Sequence, residues 1–159
     1  MLTNKGKYGL KAMVHLAKLP EGRSTQAAEI AETNGIPKPF LDTILLDLRK
    51  AGFVRSKKGP GGGFMLARSA DDIHMGQVVR TLDGPIAPIP CARRKNYLPC
   101  TDCRDVPTCS VRILMQSVRD AMAEVLDRTT LAQMRDQADP ALDSDELAIQ
   151  DEPHPAGSS

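Results

Sequence analysis

Apolar side chains return at helical spacing along the first fifty residues. Tyr8, Leu10, Met13, Val14 and Ala17 form one stripe, and Pro20-Glu21-Gly22 stops it. Ser24 or Thr25 is placed to cap a second helix through Ala28, Ile30 and Ala31, which Asn34-Gly35 ends. A third predicted helix starts near Pro37 or Pro39, because a first helical turn tolerates proline. It is expected to bury Phe40, Leu41, Ile44, Leu45 and Leu48 before Gly52 closes it. The pattern then shortens. Residues 53–57 and 64–68 are runs of strand length flanking Lys58-Gly59-Pro60-Gly61-Gly62-Gly63, which predicts a β-hairpin.

Farther on, Met75, Val78, Val79 and Leu82 mark a short helix that Gly84-Pro85 ends. A proline-rich stretch separates it from the strongest periodicity in the chain. Val111, Met115, Val118, Met122 and Val125 alternate in steps of four and three, the seam of a coiled coil. Such a narrow seam expects a matching partner, and a homodimer is the simplest. Leu114 and Ala121 widen the stripe toward the alternative, packing within one chain. Thr129 or Thr130 can cap a last short helix around Leu131 and Met134. Helices first, then a hairpin, is the order of a winged helix-turn-helix. The expected fold is therefore mainly α with a small β-hairpin wing, plus a long dimerisation helix. The expected organisation is a DNA-binding domain over 1–84, a cysteine loop over 85–109, the dimerisation and terminal helices over 110–138, and a disordered tail over 139–159.

Charge sharpens this picture. The net charge is only +1, but residues 1–68 hold 12 Lys and Arg against 5 Asp and Glu. Residues 69–138 hold nine of each, and residues 139–159 hold six acids and no Lys or Arg. A polyanionic partner for the first segment follows. Lys5, Lys7 and Lys11 interrupt the apolar run that a signal peptide would need, and no stretch approaches the roughly 18 apolar residues of a membrane span. The expectation is a soluble, cytoplasmic protein without a membrane partner.

The glycine-rich stretch raises the question of whose phosphate it meets. A P-loop needs Lys-Ser or Lys-Thr after its last glycine at a helix start, and here Phe64-Met65 follow Gly63. A dinucleotide fingerprint needs a third glycine where Phe64 stands. The loop suits a hairpin tip, with Lys57 and Lys58 beside Gly59, Pro60, Gly61, Gly62 and Gly63, facing DNA phosphates or a minor groove. Arg55 and Arg68 lie nearby. On the third helix, Lys38, Asp42, Thr43 and Arg49 occupy the polar face, and Lys50 follows them. Asp42 is suited to accept from a cytosine amino group, and Thr43 to touch a base or a thymine methyl.

All four cysteines, Cys91, Cys100, Cys103 and Cys109, fall in one loop as C-x8-C-x2-C-x5-C. In a cytosolic chain this favours metal or cluster ligation over disulfides. Four thiolates suit either an iron–sulfur cluster, of two-iron or four-iron form, or tetrahedral zinc. A thiol oxidoreductase built on Cys100-x2-Cys103 would lack its βαβ context, so no enzyme is expected.

Several of these stretches together resemble a known family. Leu2-Thr3-Asn4-Lys5-Gly6-Lys7-Tyr8, Ala28-Glu29-Ile30-Ala31, Leu48-Arg49-Lys50-Ala51-Gly52-Phe53-Val54 and the Lys58–Phe64 wing are similar to bacterial iron–sulfur winged-helix transcription regulators of the IscR/NsrR/RirA type. The resemblance covers roughly residues 1–135. It implies a homodimeric regulator, most simply a repressor, whose wings and third helices bind a double-stranded operator under control of a cluster. Cys91, Cys103 and Cys109 match the family's cysteines. Where some members have a histidine ligand, this chain has Arg112, which leaves Cys100 as the fourth donor by counting. Asp42 and Lys58 stand where the family more often has glutamate and arginine. The alternative is a regulator of the same family without a cluster, binding zinc or responding to a protein or metabolite.

Overall fold

The structure is a computed structural model that describes residues 2–102 and 104–137. The expected tail over 139–159 and the Cys103 ligand lie outside the described residues.

Thr3 opens the first helix, α1 (Asn4–Ala17), by accepting at its hydroxyl from the Gly6 amide at 3.2 Å. Gly35 in a left-handed conformation ends α2 (Ala27–Asn34). Pro37 caps α3 (Lys38–Lys50), with Pro39 in its first turn. Leu41, Ile44, Leu45 and Leu48 of α3 are fully buried against Met13 of α1 and Ile30 of α2, in one core with Ile73, Met75, Val78 and Leu131. Each such side chain contributes about 1.5–3 kcal/mol of transfer free energy, which is what holds three short helices together.

β1 (Val54–Lys57) and β2 (Gly63–Leu66) pair antiparallel, Val54 opposite Leu66 and Lys57 opposite Gly63. α4 (Met75–Asp83) crosses back over α1, with Leu82 pressed into the space that Gly9 leaves open. α5 (Ser110–Arg128) leans against α4 and has no buried residue of its own. The chain then returns: the Leu131 amide donates to the Ile73 carbonyl at 2.8 Å, and α6 (Leu131–Asp136) packs on α1. The fold is mainly helical with a two-stranded wing. Among the described residues no helix is long and apolar enough to cross a membrane.

Two local expectations are corrected. Phe40 is 49% exposed, because the four-residue stripe from Leu41 to Leu48 already fills the core side of α3. Its ring instead meets Tyr8 edge-on at 5.9 Å. Neither Ser24 nor Thr25 caps α2, which starts after Gln26 without a side-chain cap. Both are committed elsewhere: Thr25 pairs by backbone with Phe64, and Ser24 donates its hydroxyl to the Gly61 carbonyl at 2.8 Å.

Candidate nucleic-acid interface and cysteine loop

α3 presents one polar, exposed face. Lys38 and Asp42 sit one turn apart and are paired at 3.1 Å, so the exposed Asp42 carboxylate has a lysine beside it. The Thr43 hydroxyl donates back to the Pro39 carbonyl at 3.4 Å. Arg49 donates to the Ser56 hydroxyl at 3.3 Å and so ties the end of α3 to β1, while Lys50 is exposed next to it. Asp47 is held by Lys5 of α1 at 2.6 Å.

The hairpin tip is a short turn in which the Gly62 amide donates to the Gly59 carbonyl at 2.8 Å. Lys57, Lys58, Gly59, Pro60 and Gly61 are exposed, and Gly62 and Gly63 partly so. Among the described residues neither lysine has a carboxylate partner. The tip does not hang free. Thr25 and Phe64 exchange both backbone hydrogen bonds, at 3.0 and 2.7 Å, so the segment entering α2 is bridged to β2 at one residue pair. The wing is thereby tied to the entry of α2.

The cysteines are distributed along the loop and its exit. Cys91 is buried in the 3-10 turn Pro90–Ala92, Cys100 is exposed, and Cys109 is half-buried as the N-cap of α5. The Cys100 thiol donates to a carboxylate oxygen of Asp102 at 2.6 Å, which holds its pKa above the usual thiol value and Asp102 below the usual carboxylate value. Four thiolates are soft donors of the right kind for an iron–sulfur cluster or zinc. Among the described residues no three His, Cys, Asp or Glu side chains form one metal-holding group.

One feature of this region was not read from the sequence. Arg112 and Arg119, seven residues apart on one face of α5, donate to consecutive carbonyls, those of Cys91 at 2.9 Å and Ala92 at 2.5 Å. Arg119 is only 12% exposed and also pairs with Asp120 at 2.8 Å. Arg94, from the loop, binds the same carboxylate at 2.9 Å, and the two guanidinium groups hold Asp120 below the usual carboxylate range. The Arg112 guanidinium stacks over Tyr97 at 5.6 Å. The turn carrying Cys91 is thus fastened to α5 by its backbone. The spacing of seven between two arginines on the seam helix was the available signal.

The seam itself is open. Met115, Val118 and Met122 are half-buried, while Val111, Leu114 and Val125 are exposed, Val125 by 65%.

Comparison with known proteins places this architecture. The Rrf2 family model, described as an iron-dependent transcriptional regulator, matches residues 2–137. An Rrf2-like HTH-type transcriptional regulator of Rhodobacter capsulatus is 44% identical, over 89% of this chain and 96% of its own. The regulator CymR of Bacillus subtilis is 34% identical over 87% of this chain and 91% of its own. The solved structure of B. subtilis CymR, the global cysteine regulator, superposes with a TM-score of 0.71 over 87% of this chain and 98% of that one, at 35% identity. T. potens IscR gives 0.69 over 91% and 92%, at 30% identity. With its winged-helix fold and a match over nearly its whole described length, the chain belongs to the Rrf2 family of transcriptional regulators, which are DNA-binding proteins rather than enzymes.

Proposed function

We propose that two copies of this chain, joined along α5, bind operator DNA through the exposed face of α3 and the hairpin tip. The cysteine loop tunes that binding. Residues 1–84 form the DNA-reading unit, 85–109 the sensing loop and 110–138 the joint between copies. The observation that carries the reading is the tip itself: two exposed lysines without acidic partners among the described residues, on glycine backbone pinned to the entry of α2. Lys38, Asp42, Thr43 and Arg49 then approach base edges, while Lys50, Lys57 and Lys58 neutralise phosphates.

The sensor would be an iron–sulfur cluster on Cys91, Cys100, Cys103 and Cys109. Such a group supplies a cross-link sensitive to iron supply, oxidation and nitric oxide. The chain's own contribution is the fastening: Arg112 and Arg119 connect the Cys91 turn to α5, so a change in the loop is felt at the joint that sets the spacing of the two α3 helices. A second reading, a family member without a cluster, is supported by the resemblance to CymR, whose structure is named for cysteine regulation.

Anaerobic purification with iron and acid-labile sulfide counting separates the two. Cluster-loaded and cluster-free protein should differ in operator affinity. Equal affinity, or zinc alone by elemental analysis, selects the second reading. The DNA contact is tested by Lys58→Ala. Binding to all duplexes should weaken, and the slope of log K against log salt should fall by about one unit, the signature of one lost phosphate contact. An unchanged slope removes Lys58 from the interface.

A further inference from the structure

A cleft of about 530 Å³ opens behind the hairpin, between the α1–α2 connection, the outer side of β2 and the turn Ala70–Asp72. Arg23, Arg55, Arg68 and Arg135 line it, against Glu21 as the one acidic residue of the lining. Arg135 pairs with its neighbour Asp136 at 2.9 Å, with Asp71 close by. Arg68 stacks over Phe53 at 5.0 Å and donates to the Gln77 side-chain oxygen at 3.4 Å. Among the described residues, none of Arg23, Arg55 and Arg68 has a carboxylate partner. The cleft is cationic and incompletely neutralised.

The chain leaves the described body beside this cleft. α6 ends at Asp136, one residue after Arg135, and is held to α1 and to the Ala70–Asp72 turn. The residues that follow are the acidic ones. Asp139, Asp143, Asp145, Glu146, Asp151 and Glu152 fall within residues 138–159 with no Lys or Arg. The central group begins six residues past Gln137, an extended reach of about 20 Å, so nothing prevents it from covering a cleft that starts at Arg135. A tether this short also gives an effective concentration in the millimolar range, enough to make a weak ionic contact persist. The family model matches residues 2–137.

We propose that residues 138–159 dock on the Arg23–Arg55–Arg68 cleft as an intramolecular polyanion that competes with DNA phosphates. This rests on the reading that the hairpin faces DNA, since Arg55 lies on β1 and Arg68 just past β2. Non-specific binding is almost wholly a phosphate term, so a competitor for the arginines that neutralise phosphates weakens it directly.

The test uses the full chain with all six acids converted to amides: Asp139→Asn, Asp143→Asn, Asp145→Asn, Glu146→Gln, Asp151→Asn and Glu152→Gln. Without DNA, backbone hydrogen exchange over residues 19–23 and 65–69 should be faster in this variant than in the parent at low salt. The difference should vanish in high salt. With a random-sequence duplex at low salt, the variant should bind about tenfold more tightly, the order expected for freeing two phosphate contacts. That gain should disappear when the same changes are made on an Arg23→Ala/Arg55→Ala background. Identical exchange in parent and variant overturns the docking. An equal gain with and without the two arginines also overturns it, because charge repulsion through space would then suffice. A parent that binds no duplex at any salt would defeat the DNA reading instead, and the exchange result would still decide the docking.

Discussion

Gly61 and Gly62 are neighbours at the wing tip with different reasons to be glycine. Gly61 has φ of 72° and nothing within 4 Å of where a Cβ would stand, so it needs only a residue that tolerates the left-handed region. Gly62 is not in that region, but a Cβ there would run into the carbonyl oxygens of Lys57 and Gly59, and backbone cannot yield as a flexible side chain can. Gly61→Asn should therefore leave DNA binding close to that of the parent, since Asn adopts left-handed backbone at low cost. Gly62→Ala should lose as much affinity as removing the Lys57 and Lys58 side chains together, while melting temperature changes little because the tip contributes nothing to the core. Anisotropy titrations on one operator duplex, paired with thermal melts, check both. A Gly62→Ala protein with parental affinity would mean that the tip geometry is irrelevant to binding.

Among the elements, the joint between α4 and α5 is the most explicit in physical terms. Arg80 reaches across Gly76 to Asp127 with two hydrogen bonds, one of 2.6 Å and one of 2.9 Å, and any side chain at Gly76 would collide with the Asp127 carboxylate. Arg80 holds Asp127 below its usual carboxylate range, with His74 adding a smaller effect in the same direction. A depressed folded pKa means that the pair stabilises fully above the unfolded value of about 3.9 and is lost as the pH falls through the folded value. Asp127→Asn should thus lower the unfolding free energy read from urea titration at pH 7, by an amount typical of a half-exposed pair, about 0.2–1 kcal/mol. The gap between parent and variant should close in the acid region below about pH 4. A gap that persists unchanged to pH 2.5 would assign the loss to packing instead. The elements at this joint were legible in advance because their signals are local: Met75 to Leu82 repeat at helical spacing, Gly84 stops them, and Val111 to Val125 keep a seven-residue rhythm. The links between elements were not. Thr25 pairs with a residue 39 positions away, and its choice of a backbone bridge over a helix cap depends on where the hairpin lies. Phe40 carries the right periodicity for burial and loses it only because α3 meets the core through the turns after it. In the cysteine loop no periodicity exists, so spacing alone indicated chemistry without indicating geometry.

At the scale of the whole molecule, the open seam of α5 requires an explanation that one chain does not supply. Nineteen helical residues contain none that is buried, although Val111, Leu114, Val118, Met122 and Val125 line one side. The face that does touch the body carries Arg112 and Arg119 on backbone carbonyls and Leu126 against the core, which leaves Val111, Leu114 and Val125 exposed. In the proposed dimer this exposed apolar surface would be covered by a second copy of the same helix across a two-fold axis, which its seven-residue rhythm suits. Leu114→Glu distinguishes the alternatives. On a lone chain the position is 59% exposed, and a charge there should change stability by less than about 0.5 kcal/mol. In a two-fold pairing it places two carboxylates in a desolvated seam, which costs several times more and should dissociate the pair. Sedimentation should therefore show the parent at twice the 17.2 kDa chain mass and Leu114→Glu near 17.2 kDa, with unchanged circular dichroism. Operator affinity should fall with it, because two half-sites then have to be bound by independent chains instead of one rigid pair. A parent that sediments as a single chain while still binding its operator tightly would separate DNA recognition from α5. The fastening of the cysteine turn to that helix would then have no route to the DNA.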